Sequence, residues 1–266
     1  MKISKKGEYY GEKRSEVDLT AAVLSEYDYI DKRTDWHYHE NPYFMYVIDG
    51  NLLDINKKNK KQLPSGSLIF HNWQEAHYNT KETAKARGFH VEFPRQWFEQ
   101  RKLNIDLWEG SRVIEHPKLH QIIGQLYYEF KCKDSYSDLA VELLILQLCE
   151  NTQTAEFSGK QEPTWVESLR EVLHEETEDL NLARLSQKVG VHPVHISRAF
   201  PKYFGGSLGD YLRQQKIKQS IGYILKGKHS LTDIANMCGF SDQSHFTRTF
   251  KSYLNQTPRS FRKQVL

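Results

Sequence analysis

The C-terminal third of the chain is written twice. Leu182, Leu185, Val189 and Gly190 recur 49 residues later as Leu231, Ile234, Cys238 and Gly239. After a one-residue insertion the offset becomes 50, pairing His195, Ile196, Arg198, Phe200 and Tyr203 with His245, Phe246, Arg248, Phe250 and Tyr253. Ser207 and Tyr211 continue the series against Thr257 and Phe261. A period this long, present only twice, marks the duplication of a small unit and not a solenoid. The apolar matches fall at helical spacing, so each unit is expected to be helical.

Each copy reads as an amphipathic helix, a sharp turn and a second amphipathic helix. Gly190 and Gly239 stand where the chain must turn with positive φ. Pro193 and Asp242 suit the first turn of the second helix, one as a first-turn proline and the other as a cap. Ile196, Phe200, Tyr203 and Phe204 form one apolar stripe, and Phe246, Phe250, Tyr253 and Leu254 form the other. The opposite faces carry Val194, Ser197 and Arg198 in the first unit, and Ser244, Thr247, Arg248 and Lys251 in the second. Arginine pairs with two acceptors of guanine at once, and small side chains reach thymine methyls or bases. A plain helical bundle needs the same stripes but has no use for an outward arginine at equivalent positions. His195 and His245 border the stripes and are assigned to packing or backbone bonding. Residues 207–226 read as one helix roughly 30 Å long, close to the roughly 34 Å of one DNA turn.

Charge agrees without deciding. From Leu180 onward there are 14 Lys and Arg against 3 Asp and Glu, a net of +11, while the remainder carries −8. A polyanion is drawn to the basic part, though a solvated lysine-rich surface has the same signature. A chain of 266 residues is long enough for two domains. The N-terminus has no secretion signal, and the longest apolar run, residues 143–149, is too short to span a bilayer. Cys132, Cys149 and Cys238 lack CxxC spacing and read as reduced thiols, implying a cytoplasmic protein with no membrane partner.

Residues 20–105 are rich in strand formers broken by turns, such as the run 43–48 before Asp49-Gly50. From about 115 the period becomes helical, with Leu119, Ile122, Ile123, Leu126 and Tyr127, then Leu139, Leu143, Leu144 and Leu148. Residues 151–163 read as a linker. The expected class is two-domain α+β. Residues 1–110 form a ligand-binding β domain, 111–162 a helical dimerisation segment and linker, and 163–266 an all-α domain.

Residues 170–264 resemble the DNA-binding domain of the AraC/XylS family of transcriptional regulators. Residues 234–253 (IANMCGFSDQSHFTRTFKSY) and 257–262 (TPRSFR) carry the likeness, supported by Val189-Gly190, His195-Ile-Ser-Arg198, Phe200, Gly205-Gly-Ser207 and Tyr211-Leu-Arg213. The resemblance implies a double helix-turn-helix that reads two successive major grooves. Val194, Ser197 and Arg198 serve the first groove, and Gln243, Ser244, Thr247 and Arg248 the second. It further implies double-stranded DNA, a small-molecule effector (a sugar or an aromatic compound), RNA polymerase and a second copy of the chain as partners, with activation as the output. Pro201 departs from the pattern, standing where the family has a basic residue. It is expected to bend or shorten the first recognition helix and to put a phosphate contact there in doubt.

The β region resembles a cupin barrel, which AraC-family sensor domains commonly have. His37-Tyr38-His39 starts a motif completed by Gly50, with Tyr43 where a glutamate belongs. A second motif runs from Gly66 to His77, with Asn72 and Gln74 replacing its proline and glycine. His37, His39 and His77 then read either as a three-histidine metal site or as a barrel interior that packs or lines a pocket. The missing carboxylate favours the interior, so no metal or cofactor is expected, and Trp36, His37, His39, Tyr43 and His77 are candidate effector contacts. A metal-dependent cupin enzyme is the rival reading. No P-loop or HExxH helix is present, so no enzymatic activity is expected. A module that binds only protein leaves the repeated arginines unexplained.

Overall fold

The computed structural model describes residues 2–73, 75–103, 110–152, 162–175 and 180–266. Gln74 and most of the expected linker lie outside the described residues. The N-terminal half is two facing sheets. One orders its strands β1 (Lys2–Ser4), β4 (His37–His39), β9 (His77–Lys81), β6 (Asn51–Asn56), β7 (Lys60–Pro64). The other runs β11 (Arg112–Ile114), β8 (Leu68–His71), β5 (Tyr43–Asp49), β10 (Arg87–Glu92), β3 (Val23–Asp28), β2 (Glu12–Asp18). The cupin-like layout therefore takes the form of a sandwich, with no hydrogen-bonded closure into a barrel among the described residues. β1 and β2 lie before the expected start of strand structure. β2 is an edge strand of mostly exposed, mostly charged residues, so it has no apolar alternation to find.

The six-stranded sheet has two apolar faces. On β5, Tyr43, Met45 and Val47 point into the sandwich, while Phe44, Tyr46 and Ile48 point the other way. That second face is covered by α2 (Pro117–Cys132) and α3 (Ser137–Thr152), after a short α1 (Arg95–Gln100). β11 follows the expected 110/111 boundary and still pairs with β8, so the sheet and the helices covering it form one layered body.

Ten helices are described in all, and the last seven are α4 (Thr164–Glu175), α5 (Leu182–Val189), α6 (Pro193–Phe204), α7 (Leu208–Lys226), α8 (Leu231–Met237), α9 (Gln243–Leu254) and α10 (Pro258–Val265). The duplication is visible in their bounds. α6 and α9 start 50 residues apart, as do α7 and α10, while α5 and α8 start 49 apart. The inserted residue falls in the turn between α8 and α9.

The two units pack differently. α4 to α6 and the start of α7 enclose a core of their own, including Leu169, Leu185, Ile196, Phe200 and Tyr211. The second unit has none of its own: Ile234, Phe246, Phe250, Leu254 and Phe261 belong to the core that runs through α2 to Phe44, Phe70 and Phe89 of the sheet. α2 and α9 meet at Gly124, where a Cβ would lie 2.5 Å from Leu254 Cδ2 and 2.8 Å from the Tyr253 carbonyl oxygen, so only glycine permits the approach. Gln121 Nε2 donates to the Ser252 carbonyl at 2.6 Å, and Arg87 donates to the Val265 carbonyl at 3.1 Å.

The structure gives α3 its orientation and corrects the expectation for Pro201. α3 buries Val141, Ile145 and Leu148 but leaves Leu139 and Leu143 exposed. Leucines surround this helix, so its sequence does not single out one buried face. Pro201 does not shorten α6, which has the same 12 residues as α9. The carbonyl it deprives of a donor is that of Ser197, a residue on the exposed face of the helix.

Candidate nucleic-acid interface and the histidine-lined interior

Both helix-turn-helix units are fixed by local chemistry. Gly190 and Gly239 each take φ 68°, as the turns require. The Asn181 side chain accepts from Arg184 N, and Ser230 with Asp233 forms a reciprocal capping box. α6 opens on Pro193 with His192 as its cap, and α9 opens on Asp242, whose Oδ1 accepts from His245 N at 2.6 Å. Ser207 and Thr257 cap the helices that follow.

These caps aim the outer faces at solvent. Val194, Ser197 and Arg198 on α6 are exposed, as are Gln243, Ser244 and Arg248 on α9, with Thr247 half-buried beside them. Val194 is 49 % exposed, unusual for a valine that could turn inward. Gln243 accepts from the Thr232 hydroxyl at 2.8 Å, which orients its amide. Neither Arg198 nor Arg248 forms an ion pair among the described residues. His195 packs edge-on against Trp165, and His245 packs on Phe240 and contacts Ser241 Oγ at 3.1 Å. Both histidines therefore support the fold, as their positions suggested.

The sandwich interior gathers more histidines than the motif named. His37 and His77 are direct cross-strand partners, and His39 and Tyr43 lie beside them with ring centroids 4.6 Å apart. Their neighbours are His71, stacked on His77 at 4.3 Å, and His90, stacked on Tyr9 at 3.8 Å. Asp54, which is 1 % exposed, faces His71 with Oδ1 3.7 Å from Nε2. Nδ1 of His37 donates to the Asp35 carbonyl and Nδ1 of His77 to the Glu75 carbonyl, leaving each Nε2 as an acceptor. Burial depresses His37 and His77 to about 4 and pushes the Asp54 carboxyl up to about 6. Trp36 is not among this group: it packs on Tyr78, whose side of β9 is opposite that of His77.

A helix-turn-helix domain family matches residues 185–264. The probable transcription factor PqrA of Proteus vulgaris is 35% identical over 86 residues, which is 32% of this chain and 70% of that protein. The chain belongs to the AraC family of DNA-binding transcriptional regulators. An HTH-type transcriptional regulator of Staphylococcus aureus is likewise 35% identical over 85 residues, but there this AraC-family chain covers only 11% of the relative. Across most of its length the chain also aligns with the unsaturated-fatty-acid-bound ToxT of Vibrio cholerae, at 12% identity and a TM-score of 0.39, covering 94% of this chain and 96% of ToxT. No helix among the described residues of the AraC-family chain is long and apolar enough to cross a membrane.

Asp54, His71 and His90 escaped the sequence motif, but a period-2 signal pointed to two of them. On β10, Phe89 and Val91 alternate with His90 and Glu92, and on β8 His71 shares the phase of Ile69.

Proposed function

We propose that the chain is an effector-responsive regulator that reads two successive major grooves with α6 and α9. The observation that carries this is their equivalence: two helices related by one offset, each with an exposed arginine at the matching place, one before and one after α7 in the chain. The 19 residues of α7 span about 28 Å, close to the roughly 34 Å groove repeat. Val194, Ser197 and Arg198 read one block of bases, and Gln243, Ser244, Thr247 and Arg248 the other. The test is selection of genomic fragments by the purified chain at near-physiological salt, where non-specific attraction is weakened. The expected product is a motif of two short blocks about one turn apart. Arg248→Ala is expected to lower affinity for that motif by roughly 5- to 150-fold and to relax one base position. Unchanged affinity and unchanged preference would remove Arg248 from the reading surface.

The effector site in this reading is the interior lined by His37, His39, Tyr43 and His77, with Trp36 on the outer side of the same edge. α2 touches both the six-stranded sheet and α9, so a ligand that shifts the sheet biases the placement of the second reader. The output is activation through RNA polymerase, measured with a reporter downstream of the recovered motif.

Two copies act together through α3. Tyr136, Leu139, Leu143 and Leu146 are 74 %, 60 %, 52 % and 38 % exposed along α3 and the turn before it, a contiguous apolar stripe of the kind that marks an interface. Leu139→Asp with Leu143→Asp is expected to convert a dimer into a monomer in sedimentation. Because both sites are exposed, the change in unfolding free energy should stay within about 0.5 kcal/mol per site. A parent chain that sediments as a monomer at all concentrations refutes the dimer.

A further inference from the structure

We infer that the sandwich interior holds one first-row divalent transition metal ion, ligated by Asp54, His71 and His77. This rests on reading that interior as the ligand site of the β domain. The set is distinct from the His-x-His motif: Asp54 comes from β6, His77 from β9 of the same sheet, and His71 from β8 of the facing sheet. One donor atom from each lies within 4.8 Å of the other two, and His71 turns out of its stack on His77 to direct a ring nitrogen at the ion. The Asp54 Oδ1 to His71 Nε2 distance of 3.7 Å is near the roughly 3.4 Å that tetrahedral ligands 2.1 Å from zinc keep.

His37, His39 and His77 form a second such group, and His39 Nε2 is likewise buried without a partner among the described residues; three observations favour the triad with Asp54. Asp54 Oδ2 and both ring nitrogens of His71 are buried without a hydrogen-bond partner among the described residues. Native interiors leave few such atoms, and an ion satisfies a carboxylate oxygen and an imidazole nitrogen together. His77 has the second-shell arrangement of a ligand, since its Nδ1 donates to the Glu75 carbonyl and turns Nε2 inward. On Nε2 it has only the 3.3 Å contact from the Tyr43 hydroxyl, which an ion replaces. Asp54 supplies negative charge, which His37, His39 and His77 lack as a set. Its Oδ1 is already oriented by Asn79 Nδ2 at 3.1 Å. Two imidazoles and one carboxylate suit zinc, cobalt or iron(II) and leave a coordination position open. An ion there ties the two sheets together and offers a Lewis-acidic anchor to an effector carrying an oxygen donor.

The experiment is calorimetric titration of the chelator-stripped full chain with Zn2+, paired with the visible spectrum of the Co2+ form. One ion per chain is expected, with the intense bands of low-coordinate cobalt. Asp54→Asn and His71→Ala, each checked for folding by circular dichroism, are expected to weaken binding by more than the roughly 100-fold that loss of a supporting group costs. His37→Ala should retain the ion. Binding that survives Asp54→Asn and His71→Ala but is lost in His37→Ala overturns the assignment, as does a parent chain that takes up neither metal. DNA selection is run on the same stripped protein. Specific DNA binding without any metal uptake refutes this inference and leaves the regulatory reading intact.

Discussion

Phe250→Ala is expected to cost roughly 3–5 kcal/mol and to loosen the β domain together with the second DNA-reading unit. Phe250 is fully buried, with its ring 5.6 Å from those of Phe246 and Phe261, and its core is continuous with α2 and the sheet. A loss of that size is a large fraction of the roughly 5–15 kcal/mol that holds a typical domain together. Phe200→Ala, at the equivalent place in the first unit, removes the same ring from a separate core, where it stacks on Phe204 at 4.2 Å. Its cost should be similar but confined to α4–α6 and the start of α7. Hydrogen exchange separates the two cases. Phe250→Ala should lose protection in α9, α2 and β5 together, and Phe200→Ala only in the first unit. If Phe250→Ala left α2 and β5 fully protected, the shared core would not be a cooperative unit.

Acid is expected to destabilise the fold steeply between pH 6.5 and about 3. Burial holds His116 and His37 at about 4, and His90 and His120 at about 3, against an unfolded value near 6.5. The unfolded chain therefore binds more protons than the folded one in this range, and stability rises with pH. The contribution is complete above pH 6.5, declines as pH falls through the window and stops changing below the folded values. Each group contributes on the order of 3 kcal/mol. Asp54, raised to about 6, works in the opposite sense, as do Glu92 and Glu129, whose carboxyls burial also raises. His120 is instructive because its Nε2 donates to the Ile114 carbonyl at 2.7 Å and Lys218 adds positive charge nearby. His120→Gln keeps a donor and cannot titrate, so the slope of melting temperature against pH should become shallower. An unchanged slope excludes His120 from the acid response.

The repeat was legible because duplication preserves apolar spacing, turn glycines and caps, all of which act within a few residues of each other. Leu182, Gly190, Pro193, Asp242 and Ser207 specify local conformations, and each lies where a helix starts or turns. The outward arginines followed from the same periodicity. α3 was legible as a helix but not in its orientation, because leucines on every side give no direction to burial.

What the sequence by itself determined is the double helix-turn-helix, its outward arginines and the β-then-α order of the chain. Only the tertiary structure decided that the second unit shares its core with the sheet, since that depends on α2 crossing α9 at Gly124, more than a hundred residues from Leu254 along the chain. Only the tertiary structure brought Asp54 and His71 to His77. Strand pairing and the facing of two sheets are long-range choices, set by which apolar faces bury each other and not by any spacing along the chain.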